Sequence, residues 1–153
     1  DLKAYARYAY NPTDNTFAAL ITDGTKLSPA DVKRSGYYGA KESPNFLPQP
    51  AGPLFFRAYA LAYRLSGDPS FWDTARSIGR GNGLGELGPD PKEPTRCEKV
   101  GCSDPDMIIG LLDLYRKTNR AEYLALSNRR ILADQMEFLK KRFRKGSRLH
   151  GSL

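Results

Sequence analysis

The sequence predicts an all-α protein built from repeated helical hairpins, with a small β-hairpin or extended segment near its N-terminus. Three observations carry that prediction. From Pro53 to Ile78 the chain reads as two amphipathic helices joined by a tight turn. The pattern returns from Tyr115 at a constant offset of 52 residues: Tyr63-Arg64 aligns with Tyr115-Arg116, Gly67 with Asn119, Phe71 with Tyr123 and Ala75 with Ser127. Composition supplies the third: 153 residues at 40% hydrophobic and 27% charged are enough for one core.

In chain order, Leu2, Tyr5, Ala6 and Ala9 recur at helical intervals, which predicts the end of a helix stopped by Asn11-Pro12. Phe17, Leu20 and Ile21 before the turn signal Asp23-Gly24 predict a short strand or hairpin. Residues 26–52 are broken by Pro29, Pro44, Pro48 and Pro50 and hold no sustained period, the mark of a long loop that is either functional or disordered.

In the first hairpin, Leu54, Phe55, Ala58, Leu61, Ala62 and Leu65 form a helical stripe expected to be buried, with Arg57 and Arg64 on the other side. Gly67 is a C-terminal cap, Asp68 an N-cap and Pro69 a first helical residue, after which Phe71, Trp72, Ala75 and Ile78 form a second stripe. The glycines at 79, 81, 83, 85 and 88 follow a helix and open none, so they are no dinucleotide fingerprint. Two readings stand: a flexible helix exit whose glycines permit left-handed turns, or a close-approaching backbone that presents Arg80 and Asn82 at the rim of a site.

Asp104-Pro105 repeats the cap-and-proline start, and Ile108, Leu111, Leu112 and Tyr115 form the next stripe. A last helix is expected from about Ala121 towards Phe143. The expected organisation is a single unit over 1–153. It comprises a helix end and long loop region (1–52), a first hairpin (53–83), a loop (84–102), a second hairpin (103–143) and a basic tail (144–153).

The net charge of +7 is concentrated between Arg129 and His150, which hold eight Lys/Arg against two Asp/Glu. A terminal run of this kind is ordinarily a solvated helix end, and the charge alone selects no partner. No stretch approaches the roughly 20 apolar residues that span a bilayer, so no membrane partner is expected. Cys97 and Cys102 leave three options open: one disulfide, two free thiols or half of a metal site. His150, the only histidine, reads as a surface residue.

Hairpins of this kind stack into an open solenoid or a closed ring of alternating helices. The offset of 52 exceeds the tetratricopeptide and ankyrin periods of about 34 and 33 residues, and the excess lies in a loop between hairpins, where rings place their sites. The fold expected is therefore part of an incomplete (α/α) toroid, completed by the remainder of a longer parent chain.

At this point the residues resemble a family. LITDGTKLSPADVKRSGYYG, PLFFRAYALAYRLSGDPSFWDTARSIGRGNGLGELG and SDPDMIIGLLDLYRKTNRAEYLALSNRRILADQMEF are similar to the later portion of bacterial pectate lyases of the α/α-toroid type, the second polysaccharide lyase family. The most specific pieces are Thr22-Asp23-Gly24-Thr25, Gly36-Tyr37-Tyr38-Gly39 and Gly81-Asn82-Gly83-Leu84-Gly85; the helix pairs would fit any such toroid, glycoside hydrolases included.

The resemblance implies cleavage of pectate by β-elimination, an acidic galacturonan as partner and an extracellular or periplasmic address. A cation or basic group neutralises the uronate carboxylate, and a base removes the proton at the adjacent ring carbon. The family's metal ligands and base lie in an earlier portion. The catalytic residues therefore stay unknown, no metal ligand or cofactor is carried onto this chain, and any divalent metal would belong to the parent enzyme. The isolated chain is expected to be inactive.

Substrate contact is carried onto Arg34, Tyr37, Tyr38 and Lys41 in the long loop and onto Arg80 and Asn82 in the glycine loop. Guanidinium forks suit carboxylates, and tyrosines stack on sugar faces. Two alternatives stand beside this reading. One is an α/α-toroid glycoside hydrolase, for which Asp23, Glu86, Asp104 and Asp106 are the available carboxylates but form no convincing pair. The other is a non-enzymatic helical-repeat module binding a polyanion through Lys140, Lys141, Arg142, Arg144 and Lys145; nucleic acid ranks last as a partner.

Overall fold

The computed structural model describes residues 2–28, 47–94 and 104–126. Four helices carry the architecture: α1 (Leu2–Ala9), α2 (Pro53–Ser66), α3 (Pro69–Gly81) and α4 (Pro105–Thr118). Between α1 and α2 lie three two-residue strands, β1 (Tyr10–Asn11), β2 (Thr16–Phe17) and β3 (Gln49–Pro50), in one antiparallel sheet with β2 central. Tyr10 pairs with Phe17 and Thr16 with Pro50, so the far end of the long loop returns to the N-terminal hairpin. Pro50 lacks an N–H and sits on an edge strand, where none is needed.

The caps are where the local sequence placed them. Gly67 closes α2 in the left-handed region at φ 73°, its N–H donating to the Tyr63 carbonyl. Asp68 caps α3 by accepting from the Ser70 amide, and Asp104 caps α4 by accepting from that of Asp106. Asn119 ends α4 at φ 56°, a conformation asparagine tolerates. The repeat is thereby exact in register: α2 and α4 both run 14 residues, start on proline and end on a left-handed cap 52 positions apart. Residues 121–126 are helical again, matching the start of α3.

The packing departs from the expected stripes. On α2 the buried residues are Phe56, Tyr59, Ala60 and Tyr63, whereas Leu54 and Leu65 are 63% and 72% exposed. Rings at Phe56, Tyr59 and Tyr63 bury more surface than the aliphatic stripe and so set the inward face. Arg57 and Arg64 do not face away either: Arg57 pairs with Asp106 at 2.7 Å and Arg64 Nε lies 3.1 Å from Asp113 Oδ1, both carboxylates on α4. On α4 the inward set is Met107, Gly110, Leu111, Asp113 and Leu114, with Ile108, Leu112 and Tyr115 only partly covered. The α3 stripe holds for Trp72, Ala75 and Ile78, with Phe71 partly buried against the core.

Aromatic stacking joins the layers. Phe17 lies 4.4 Å from Phe55, 4.9 Å from Tyr5 and 4.9 Å from Tyr10, centroid to centroid, which fixes the small sheet to α1 and α2. At the other end Trp72 contacts Tyr63 and Tyr123, and its indole N–H donates to the Pro89 carbonyl. Tyr123 in turn donates to the Pro91 carbonyl. Two buried rings thus tie down the segment that leaves the glycine cluster.

Candidate functional site

The glycine cluster makes the left-handed turns expected of it, and its backbone packs closely against the core. Gly83, Gly85 and Gly88 all take positive φ, and the left-handed turns they make drive Leu84 and Leu87 into the core, where both are fully buried. Leu84 also donates its amide to the Gly79 carbonyl at 2.9 Å. Gly79 admits this approach, since a Cβ there would stand 3.1 Å from Leu84 Cδ1 and from the Phe56 ring.

Three chain segments meet at one backbone oxygen beside this turn. The Ala51 carbonyl accepts from Asn82 Nδ2 at 2.7 Å and from Asn15 Nδ2 at 3.2 Å, while the Ala51 amide donates to the Asn15 carbonyl at 2.8 Å. Asn82 Nδ2 also donates to the Ile78 carbonyl at 2.8 Å. Both amide hydrogens of Asn82 therefore hold the long loop's return to the end of α3, and its side-chain oxygen is the group it can offer a ligand. Gly81 leaves room for Asn15, whose Cγ would lie 2.3 Å from a Cβ at that position.

Arg80 stands on the exposed side of this junction. Its Nη1 lies 3.4 Å from Glu86 Oε2, and Arg76, one turn earlier on α3, places Nη1 3.5 Å from Glu86 Oε1. One carboxylate thus bridges two guanidiniums four residues apart, and it also accepts from the Gly88 amide. The Arg80 side chain is 57% exposed and that of Glu86 46%, so this is a solvated, long-distance pairing.

Tyr10 lines the same junction: its hydroxyl is 3.0 Å from Asn15 Oδ1, to which it donates, and 2.9 Å from Ser77 Oγ. Burial raises the Tyr10 pKa, against the opposing pull of the Ser77 hydrogen bond and the Arg80 charge, so the phenol stays protonated at neutral pH. Arg76, Tyr10 and Asn15 were not singled out from the sequence, and Glu86 only as a carboxylate for hydrolysis. For the arginines the signal was there, an i, i+4 pair on one helix face.

Of the six expected contact residues, Arg80 and Asn82 come together here, whereas Arg34, Tyr37, Tyr38 and Lys41 lie outside the described residues, as do Cys97, Cys102, His150 and the basic tail. The four carboxylates considered for hydrolysis each have another task. Asp104 caps α4, Asp106 pairs with Arg57, and Glu86 bridges the arginines. Asp23 accepts from the Thr25 amide and hydroxyl, bonds that lower its pKa. Among the described residues no three His, Cys, Asp or Glu converge as a metal set. None of their helices is long and apolar enough to cross a membrane.

What this surface can do chemically is recognise carboxylates. It presents two guanidiniums already spaced around one carboxylate, beside a protonated phenol, on a backbone fixed by the Ala51 junction. Comparison with known families adds an independent finding: the model of the periplasmic pectate lyase family matches residues 1–151.

Proposed function

The chain belongs to the periplasmic pectate lyase family, and from that premise we propose that it is the later portion of an α/α-toroid enzyme that cleaves pectate by β-elimination. In this reading the segment supplies scaffold helices and substrate-contact loops. Membership carries the lyase reading and an acidic polysaccharide as substrate, and the family's periplasmic description agrees with the address expected from the sequence. The toroid is supported by the exact register of α2 and α4, since units repeated in register are what such a ring is made from.

Elimination requires that the uronate carboxylate be neutralised, so that the proton on the neighbouring ring carbon becomes acidic and the glycosidic oxygen at the next carbon can leave. Arg80, with Arg76 behind it, meets a galacturonate carboxylate in place of Glu86. The other contacts are Asn82 through its side-chain oxygen, and Arg34, Tyr37, Tyr38 and Lys41 from the long loop. The family's base and metal ligands lie in the earlier portion of the enzyme, so the isolated segment is expected to bind substrate without turning it over.

The observation that supports Arg80 is the bridging Glu86, an internal carboxylate where a uronate would sit. The test is release of ultraviolet-absorbing unsaturated uronides from polygalacturonate by the parent enzyme, compared with its Arg80→Ala variant. A parent that yields only saturated products is a hydrolase and refutes the reading. Turnover by the isolated segment refutes its assignment as a contact module.

A further inference from the structure

The carboxylate that links Arg76 and Arg80 stands on a backbone that cannot follow it. Glu86 lies between Leu84 and Leu87, both fully buried, and between Gly85 at φ 77° and Gly88 at φ 86°. The path of residues 84–88 is thus set by the core and not by the Glu86 side chain, which is the movable part.

Its pairing is also loose. Oε1 lies 3.5 Å from Arg76 Nη1 and Oε2 lies 3.4 Å from Arg80 Nη1, one oxygen for each guanidinium. In the same molecule Arg57 and Asp106 meet at 2.7 Å, the distance of a fully formed charge-assisted bond. A side chain on a fixed backbone reaches only where its rotamers take it, and the Gly88 amide, 3.2 Å from Oε1, draws this carboxylate towards its own loop. A carboxylate arriving on a sugar carries no such tether and can close to about 2.8 Å on the same guanidiniums.

The two arginines are unequal once Glu86 swings away. Arg76, 30% exposed, keeps a second carboxylate, with Asp73 Oδ1 3.8 Å from its Nη2, so it stays oriented. Arg80, on the exposed side, is the one that changes partner.

We infer that Glu86 is a tethered competitor for the uronate: the Glu86 and ligand carboxylates exchange on Arg80, and the return of Glu86 expels the ligand. The inference rests on the reading of Arg80 as a uronate contact and adds to it the residue that limits the affinity of that contact. Glu86 weakens ground-state binding of every anionic sugar, products included, and tighter ground-state binding alone would not raise the rate on a saturating polymer. Because one ion pair is traded for another of the same kind, salt screens both sides of the exchange, and binding depends little on ionic strength.

Calorimetric titration of the chain with trigalacturonate, unaltered and as Glu86→Gln, tests this. Glutamine keeps the shape and can still accept from the Gly88 amide. E86Q is expected to bind about three- to tenfold more tightly, and to lose affinity more steeply than the unaltered chain as NaCl rises from about 50 to about 300 mM. The gain is expected to vanish when Arg80→Ala is added, and to be absent from Glu93→Gln, which removes an equal charge from an exposed position further along the segment. Circular dichroism verifies that E86Q is folded; should it not be, Glu86→Asp, whose carboxylate stops one methylene shorter, carries the same comparison at unchanged net charge. Equal affinity and salt dependence in E86Q and the unaltered chain, a gain matched by E93Q, or weaker binding by E86Q overturns the inference while leaving Arg80 a contact. Absence of binding by both overturns the contact reading and the inference with it.

Discussion

The α2–α4 seam and the loop face at the end of α3 use the same side chains for different ends. In the seam, Arg57 meets Asp106 at 2.7 Å and Arg64 meets an Asp113 whose side chain is only 5% exposed. At the loop face, Arg76 and Arg80 share Glu86 at 3.5 and 3.4 Å in solvent. A carboxylate buried between helices cannot exchange its cation without opening the seam, whereas a solvated one exchanges with any anion that competes. Of the seam pairs only that of Asp113 is enclosed in this sense; Arg57–Asp106, 41% and 32% exposed, stays open to solvent as the Glu86 pairs do.

Four perturbations separate the two regions, taken from the strongest. Trp72→Ala removes the ring between Tyr63 and Tyr123 together with its bond to Pro89, and is expected to cost about 3–5 kcal/mol in denaturant unfolding. Gly110→Ala forces a methyl towards the Phe56 ring and the Arg57 backbone at the tightest point of the seam, for about 1–3 kcal/mol by the same measurement. Loss of stability below about 0.5 kcal/mol would mean, for Gly110→Ala, that the seam is looser than its distances indicate and, for Trp72→Ala, that the ring does not anchor the Pro89 segment.

At the loop face, Arg80→Ala is expected to change stability by less than about 0.5 kcal/mol, because its pairing is exposed, while weakening trigalacturonate binding measured by calorimetry several-fold. A stability loss as large as that of Gly110→Ala would erase the distinction between the regions.

The smallest effect is one of pH. Asp68 is held at about 2, below its ordinary 3.8, first by the Lys3 hydrogen bond and then by Ser70. A depressed folded pKa means that its contribution is complete above 3.8 and is lost as the pH falls towards 2. Asp68→Asn should therefore remove a small contribution present above 3.8 and flatten that part of the acid unfolding curve; an unchanged acid limb contradicts the assignment.

Local chemistry was legible and lateral packing was not. Gly67, Asp68-Pro69, Asp104-Pro105 and Asn119 announced the helix ends because caps depend on residues within one turn. The face α2 turns inward depends on what packs against it, and aliphatic spacing alone favoured Leu54, Leu61 and Leu65 over the rings at Phe56, Tyr59 and Tyr63. A clue lay unread in the matched spacing of seven between Arg57 and Arg64 and between Asp106 and Asp113. At the site, Arg80 could be named as a cation near a turn, but its partnership with Arg76 through Glu86 requires the path of the chain through Leu84 and Leu87. No spacing rule predicts that path.

The Ala51 carbonyl has a consequence for how this surface can change over evolutionary time. The oxygen that holds the hairpin, the long loop and the helix exit together belongs to the main chain, so no codon change at position 51 deletes it. Heritable variation acts on Asn15 and Asn82, the two amides that grip it, and each grips independently of the other. The loops beyond can thus change in sequence while their shared footing is inherited unaltered.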